Sequence, residues 1–484
     1  MFLPTPFQGA VAELVGIAGF AAALLFILGL KRMSSPVSAR SGIVLAGVGM
    51  LVAVAAAFVG LAEIPPDLLP HFEINILLAV VALVLGTGWA WWSGKRVAIT
   101  AMPQMVALYN GMGGGAAAAI AAVVLIDGPI PTRLILAATI IGALIGAISL
   151  SGSVIAWAKL DGRVNANWRF RGQPAFNGAV FLATLLLGLV VIAVPALPSA
   201  PVLAVIFFIG ALVFGVLMTL PIGGADMPVV ISLFNAFTGL SVGLEGYAMQ
   251  NPTLMIAGMV VGSAGTLLTV LMAKAMNRSL FNVLFSNFGA GGGTDESAIG
   301  GSQKPADAGD AAITMRYASS VIIVPGYGLA VAQAQGKLYE LVRLLQAADV
   351  EVKFAVHPVA GRMPGHMNVL LAEAGVPYDI IFDMEEINEE FATTDVALVI
   401  GANDVVNPAA RTDKGSPIYG MPILNVDHAR QAYVIKRGKG RGYAGVENLL
   451  FYADNTRLVY GDAQAVLVQM IQTLKDLGEQ PKAA

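Results

Sequence analysis

The chain has 484 residues, is 57% hydrophobic and only 12% charged, and carries a net charge of −3. Soluble globular proteins average about 25% charged residues, so much of this chain is not built for water, and its charge balance gives nucleic-acid binding no support. It has no cysteine, which excludes disulfides, thiolate nucleophiles, zinc–thiolate sites and iron–sulfur clusters, and none of its four histidines (His71, His357, His366, His428) lies mid-span, which argues against a transmembrane bis-histidine haem.

A bilayer span needs roughly 20 apolar residues. Nine stretches qualify, at approximately 9–30, 42–62, 74–93, 104–126, 132–157, 176–197, 201–220, 228–249 and 253–274. The first is full length and starts from uncharged residues 1–8, so it reads as a span rather than a cleaved leader. Cations mark alternate loops: Lys31, Arg32 and Arg40, then Lys95 and Arg96, then Lys159, Arg163, Arg169 and Arg171, and finally Lys274 and Arg278. The other side carries only Arg133. The positive-inside rule then puts the N-terminus outside and the C-terminal region in the cytoplasm.

The spans are rich in small residues, as in Gly111-Met112-Gly113-Gly114-Gly115-Ala116, a composition that serves close helix packing. Polar residues at depth are sharper signals, because they usually face a bundle interior. Candidates are Asn110, Ser153, Asn235, Glu245 and Ser263, with Asp226 at the entrance of the eighth span. Glu245 lies about one turn from the outer end of that span, so it reads either as a solvated interfacial group or as a functional carboxylate. Asp226 reads as a helix N-cap, a functional carboxylate, or both. Asn110 suits interhelical hydrogen bonding and function equally.

Residues 279–315 are rich in Gly, Ala, Ser and Asp and read as a flexible linker between a membrane domain, 1–278, and a soluble domain, 316–484. Within the soluble part, strand patterns at 319–324, 350–356, 378–382, 395–400, 422–426 and 432–436 alternate with helix patterns at 328–347, 364–375, 385–392 and 463–477. This alternation predicts a Rossmann-like, doubly wound α/β domain with a parallel sheet. The first strand runs into Gly326-Tyr327-Gly328 and a helix, the arrangement that sets a pyrophosphate on a helix N-terminus. The fingerprint is incomplete, because Val331 stands at the third small position. Its context, strand before and helix after, supports dinucleotide binding.

An NAD site usually ends its second strand in Asp or Glu, which binds the ribose 2′-hydroxyl. Here that strand ends at His357. A later strand instead delivers Lys436-Arg437, adjacent cations suited to a 2′-phosphate, or else a solvated strand end. NADP(H) is therefore favoured over NAD(H). The glycine-rich run 438–445 looks like a lid. Arg362, in the loop 357–367, can pair with a pyrophosphate or be a surface charge. Asp404, in Gly401-Ala402-Asn403-Asp404, can cap a helix or stand beside the nicotinamide.

Several long segments resemble proton-translocating nicotinamide nucleotide transhydrogenase, beta subunit. They are residues 326–335, 357–367, 401–409 and Lys436-Arg437 with Gly442-Tyr443-Ala444-Gly445 in the soluble part. In the membrane part they are Gly223-Gly224-Ala225-Asp226-Met227-Pro228-Val229-Val230 and Lys274-Ala275-Met276-Asn277-Arg278-Ser279. The resemblance covers almost the whole chain. It implies reversible hydride transfer between NADH and NADP⁺ coupled to proton movement, in a bacterial cytoplasmic (inner) membrane. It also implies an alpha-type partner carrying the NAD(H) domain and further membrane helices, in a two-fold assembly. By resemblance, NADP(H) is held by Gly326, Tyr327, Gly328, Ala330, Val331, His357, Arg362, Asn403, Asp404, Lys436, Arg437, Gly442, Tyr443 and Ala444. Asp404 couples nucleotide state to protonation, and Asp226, Asn235 and Arg278 match polar positions of the coupling membrane domain. Some members carry a histidine where this chain has Asn110, which cannot carry a proton as imidazole does; the proton route then runs through hydrogen-bonded water, with Glu245. An NADP(H)-gated channel or transporter without hydride chemistry is the alternative that the residues alone leave open.

Overall fold

A computed structural model describes residues 10–61, 71–126, 132–164, 170–194, 200–223, 226–276, 279, 280, 283, 302–361, 365–416, 418–438, 440, 442 and 444–479. The chain divides into two compact units, residues 1–222 with 230–269, and residues 223–229 with 270–484.

Nine helices long and apolar enough to cross a membrane are found among the described residues. They are α1 (Ala10–Met33), α2 (Pro36–Leu61), α3 (Phe72–Arg96), α4 (Met102–Ile126), α5 (Arg133–Leu160), α6 (Gln173–Ala193), α7 (Ala200–Thr219), α8 (Met227–Ala248) and α9 (Pro252–Ala275). The protein is a membrane protein. Helix α5 is the most enclosed and packs on α4, α6 and α7, whereas α3 has no buried residue. Glycines set the closest approaches. A Cβ on Gly239 of α8 would lie 2.7 Å from Gly262 Cα of α9, and one on Gly265 would lie 2.7 Å from Ala236 N. Packing this tight, backbone on backbone, is open only to glycine. At the end of α3, Lys95 Nζ sits 4.4 Å from the centre of the Trp91 ring, and Arg96 lies 4.6 Å from that of Trp92. Lys159, expected as a loop charge, instead donates to the carbonyls of Leu220 and Ile222, the latter at 2.8 Å.

The second unit holds a six-stranded sheet: β1 (Ser320–Pro325), β2 (Glu351–Val356), β3 (Ile381–Asp383), β4 (Val396–Ile400), β5 (Gln431–Lys436) and β6 (Thr456–Tyr460). All pairings are parallel, in the order β3-β2-β1-β4-β5-β6. That is the Rossmann-type doubly wound order, whose switch point falls between β1 and β4. The helices are α10 (Ala308–Arg316), α11 (Tyr327–Val331), α12 (Gln335–Gln346), α13 (His366–Glu373), α14 (Met384–Ile387), α15 (Ala409–Thr412) and α16 (Ala463–Glu479). Central strands β1 and β4 are buried along almost their whole length, as a sheet covered on both faces requires.

Three sequence expectations change. The helix read over 328–347 is two helices: Gln333 adopts a left-handed φ of 51°, and Ala334 N–H closes the first helix on Leu329 O at 3.2 Å. The strand read at 422–426 is a loop. Its backbone is satisfied by the Asn388 amide, which donates to Ile423 O at 2.9 Å and accepts from Asn425 N at 2.8 Å. The sheet edge is instead taken by β6, which the sequence reading lacked. The linker expected over 279–315 has a folded end. Residues 304 and 306 pair with Leu458 of β6, and α10 packs on α16; residues 284–301 lie outside the described residues.

Candidate functional site

The strand order brings the ends of β1 and β4 side by side, and the two loops that follow meet there. Gly326 N donates to Ile400 O and Gly328 N to Gly401 O, each at 2.9 Å. A Cβ on Gly328 would lie 2.7 Å from Gly401 Cα, and Gly401 itself has a φ of +72°, so both positions demand glycine. Ala330 is buried behind the loop, whereas Val331 is 40% exposed and turned away from the packed side. Tyr327 meets His366 edge to face, with ring centres 5.9 Å apart.

Around this crevice the glycine-rich run 438–445 is fastened to the loop after β4. Ala444 N donates to Asp404 Oδ2 at 2.9 Å. A Cβ on Gly442 would collide with Asp404 Oδ1 and lie 3.0 Å from Asn403 Cγ. The root of the run is held by two asparagines that sequence reasoning did not select. Asn448 Nδ2 donates to both the O and the Oδ1 of Asn403, at 3.0 Å each. Asn407, fully buried, donates to Glu447 O at 3.0 Å and accepts from Ala409 N at 3.0 Å and Leu449 N at 3.2 Å. The only sequence signal for Asn407 is its Asn-Pro step, an ordinary turn mark.

Lys436 ends β5 with its Nζ 4.2 Å from the Phe451 ring centre. Burial pushes its pKa below the usual lysine value, and Glu447 opposes that shift. An anion placed here would restore the charge that burial disfavours. Arg437, next in the chain, is exposed. His357 differs from a ribose ligand. Its Nε2 lies 2.8 Å from Pro422 O and its Nδ1 accepts from Val359 N at 3.2 Å, so the proton belongs on Nε2. Burial lowers its pKa to about 4, partly offset by the Pro422 carbonyl. His357 is thus a neutral tie between two loops. Arg362 and Tyr443 lie outside the described residues.

In the first unit, Asn110 Nδ2 donates to Ser153 Oγ at 3.1 Å and Asn110 O accepts from Thr238 Oγ1 at 3.3 Å. Asn235 is not among these partners; its Nδ2 lies 3.1 Å from where a Cβ on Gly265 of α9 would stand. Glu245 is buried at 1% exposure, so the solvated interfacial reading fails. Asp226, also buried, directly precedes α8, and its N–H bonds Gly223 O at 3.2 Å. Arg278 lies outside the described residues.

The chain, with a Rossmann-order sheet and a glycine loop at its switch point after the membrane helices found among the described residues, matches a protein family over most of its length. The family described as NAD(P) transhydrogenase beta subunit matches residues 15–473. The chain belongs to that family. A curated relative, the NAD(P) transhydrogenase subunit beta of Rhodospirillum rubrum, is 44% identical over 468 residues, covering 94% of this chain and 97% of its own. The same subunit from a named strain of that species aligns with the same figures. Membership of the transhydrogenase beta subunits makes this chain part of an oxidoreductase and translocase that works with an alpha subunit, coupling hydride transfer to proton translocation. The family carries nicotinamide nucleotide chemistry, and the crevice between β1 and β4 suits it.

Proposed function

We propose that this transhydrogenase subunit holds NADP(H) at the β1–β4 switch point, while an alpha-type partner holds NAD(H) and adds further membrane helices in a two-fold assembly. The observation that carries this reading is the fastening of the lid to the crevice, Ala444 N on Asp404 Oδ2, beside glycines that permit close backbone approach. Bound NADP(H) supplies or accepts the hydride. The chain's own residues bind, orient and exclude water. Lys436 and Arg437 hold the 2′-phosphate; Gly326, Tyr327, Gly328 and Ala330 form the loop under the pyrophosphate, with which Arg362 pairs; Gly442, Tyr443 and Ala444 belong to the lid.

Coupling needs two states that the nucleotide's redox form favours unequally. Asp404 suits that part, because its carboxylate is both beside the nucleotide crevice and the acceptor for the lid. Asp226, Asn110, Asn235 and Arg278 carry the change through the membrane domain. Positive loops, together with Lys95 and Arg96 stacked on Trp91 and Trp92 at one end of α3, support a cytoplasmic C-terminal domain and an outside N-terminus. A bacterial inner membrane is the setting in which such a subunit meets both nucleotides.

The test is calorimetric titration of the detergent-solubilised chain with NADPH and with NADH. NADPH should bind at least tenfold more tightly, and Lys436→Ala with Arg437→Ala should abolish the preference. Equal affinities, or a preference that survives both substitutions, would remove the NADP(H) assignment. The family assignment already favours hydride transfer over a merely nucleotide-gated channel.

A further inference from the structure

Beside Lys436 the sheet edge gathers a second set of polar groups. Lys436 ends β5 in register with Tyr460 of β6, and the turn of residues 449–452 places the Phe451 ring 4.2 Å from its Nζ, with Tyr452 next in the chain. The hydrogen bonds around Tyr452 run in one direction. Tyr460 OH donates to Gln303 Oε1, Gln303 Nε2 donates to Tyr452 OH at 3.2 Å, and Tyr452 OH donates to Glu447 Oε1 at 2.9 Å. A tyrosine hydroxyl has a single hydrogen to give. Gln303 meets the oxygen as a donor, so that hydrogen is committed to Glu447. A bond to an ionised acceptor is of the stronger kind.

Glu447 is an unexpected neighbour for a site that takes a dianionic phosphate. It opposes the effect of burial on the Lys436 pKa, so it lies close enough to act on that charge, and no ion pair or hydrogen bond joins the two among the described residues. Its main chain is pinned, because Asn407 Nδ2 donates to Glu447 O at 3.0 Å. Movement of the carboxylate is then a rotation of the side chain. Turned toward Lys436, the carboxylate would occupy the ammonium and repel a phosphate. Held by Tyr452, it favours the protonated lysine from a distance and leaves the ammonium to a ligand.

We propose that Tyr452 is a positioning residue that sets cofactor specificity: its hydroxyl holds the Glu447 carboxylate off Lys436, so that the lysine meets the 2′-phosphate of NADP(H). Gln303 serves the same end by directing the Tyr452 hydrogen. The proposal rests on the NADP(H) reading and deepens it.

The experiment titrates the detergent-solubilised chain calorimetrically with NADPH and with NADH, which lacks the 2′-phosphate. Tyr452→Phe should weaken NADPH binding at least fivefold and leave NADH within twofold of the parent. Adding Glu447→Gln to Tyr452→Phe removes the competing charge and should return NADPH affinity to within twofold of the parent. A role in packing alone predicts no such recovery. Parent-like NADPH affinity in Tyr452→Phe overturns the proposal. So does a loss that Glu447→Gln fails to restore, or an equal loss for NADH. If the parent prefers NADPH in these cases, the NADP(H) reading stands and only the role of Tyr452 falls. A parent that binds both nucleotides equally overturns that reading and this proposal with it.

Discussion

Replacing Asn407 by Ala separates the lid's anchorage from the nucleotide contacts. The side chain is fully buried and touches no solvent-facing ligand surface, yet it makes three hydrogen bonds, one to Glu447 O, one from Ala409 N and one from Leu449 N. Alanine leaves all three backbone groups without that partner. A buried polar group left unsatisfied costs about 1–3 kcal/mol. Relaxation recovers part of this, so about 3 kcal/mol in total is the expected loss for holding residues 447–449 against the Asp404 loop. That is a factor of roughly 150 in the local opening equilibrium at about 0.6 kcal/mol for RT. Hydrogen exchange read by mass spectrometry on the peptide containing Leu449 and Leu450 should speed up about 100-fold, with strands β1 and β4 unchanged. NADPH affinity should fall with it, because a lid that is more often open binds less tightly. Asn407→Asp keeps the acceptor for Ala409 and Leu449 and loses only the donor to Glu447, so its exchange should fall in between. An Asn407→Ala peptide that exchanges within threefold of the parent would refute the anchorage.

Two further outcomes follow from the same site. Gly442→Ala places a Cβ against the Asp404 carboxylate, 2.9 Å from its Cγ, so the lid must lift; NADPH affinity should drop at least fivefold by calorimetry, and an unchanged affinity would show that the lid is not seated there in the bound state. His357 should make the soluble unit acid-sensitive. Its pKa is near 4 folded and about 6.5 unfolded, so its contribution is complete above pH 6.5 and is lost as pH falls towards 4, because the unfolded chain binds the proton first. The loss is on the order of 3 kcal/mol. Thermal melting followed by circular dichroism from pH 7 to 4.5 should steepen below pH 6.5, and His357→Asn should flatten that region; identical profiles would end the argument.

Much of the fold is legible because two periodicities dominate the chain. Apolar runs of span length give every membrane helix to within a few residues, and alternation of apolar strands with amphipathic helices gives the parallel sheet. The failures share one cause: backbone groups satisfied by something other than the expected ladder. At 422–426 the apolar alternation is genuine, with Leu424 and Val426 fully buried, but the Asn388 amide takes the hydrogen bonds a neighbouring strand would have taken. Gln333 ends a helix although no glycine or proline announces it, because Ala334 N reaches back to Leu329 O. Strand β6 carries a weak sequence signal, because Arg457 interrupts a short apolar run.

The site divides along a different line. Glycines at 326, 328 and 401 are readable, since a backbone that must approach another backbone tolerates nothing else, and the cations at 436 and 437 stand out by charge. Asn407, Asn448 and Phe451 carry no such mark. Each acts on backbone or on a neighbour at least twelve residues away in sequence, and an asparagine that bridges two loops looks the same in sequence as one that turns a single loop. Glu245 shows the limit most clearly. Its distance from the helix end argued for water, and the helix end is the wrong measure. What removes it from water is the absence of a side chain at Gly142, a hundred residues earlier, which leaves room for the carboxyl between α5 and α8. A polar residue inside a membrane bundle is therefore to be read together with the small residues that face it, since they decide whether it meets lipid headgroups or the interior.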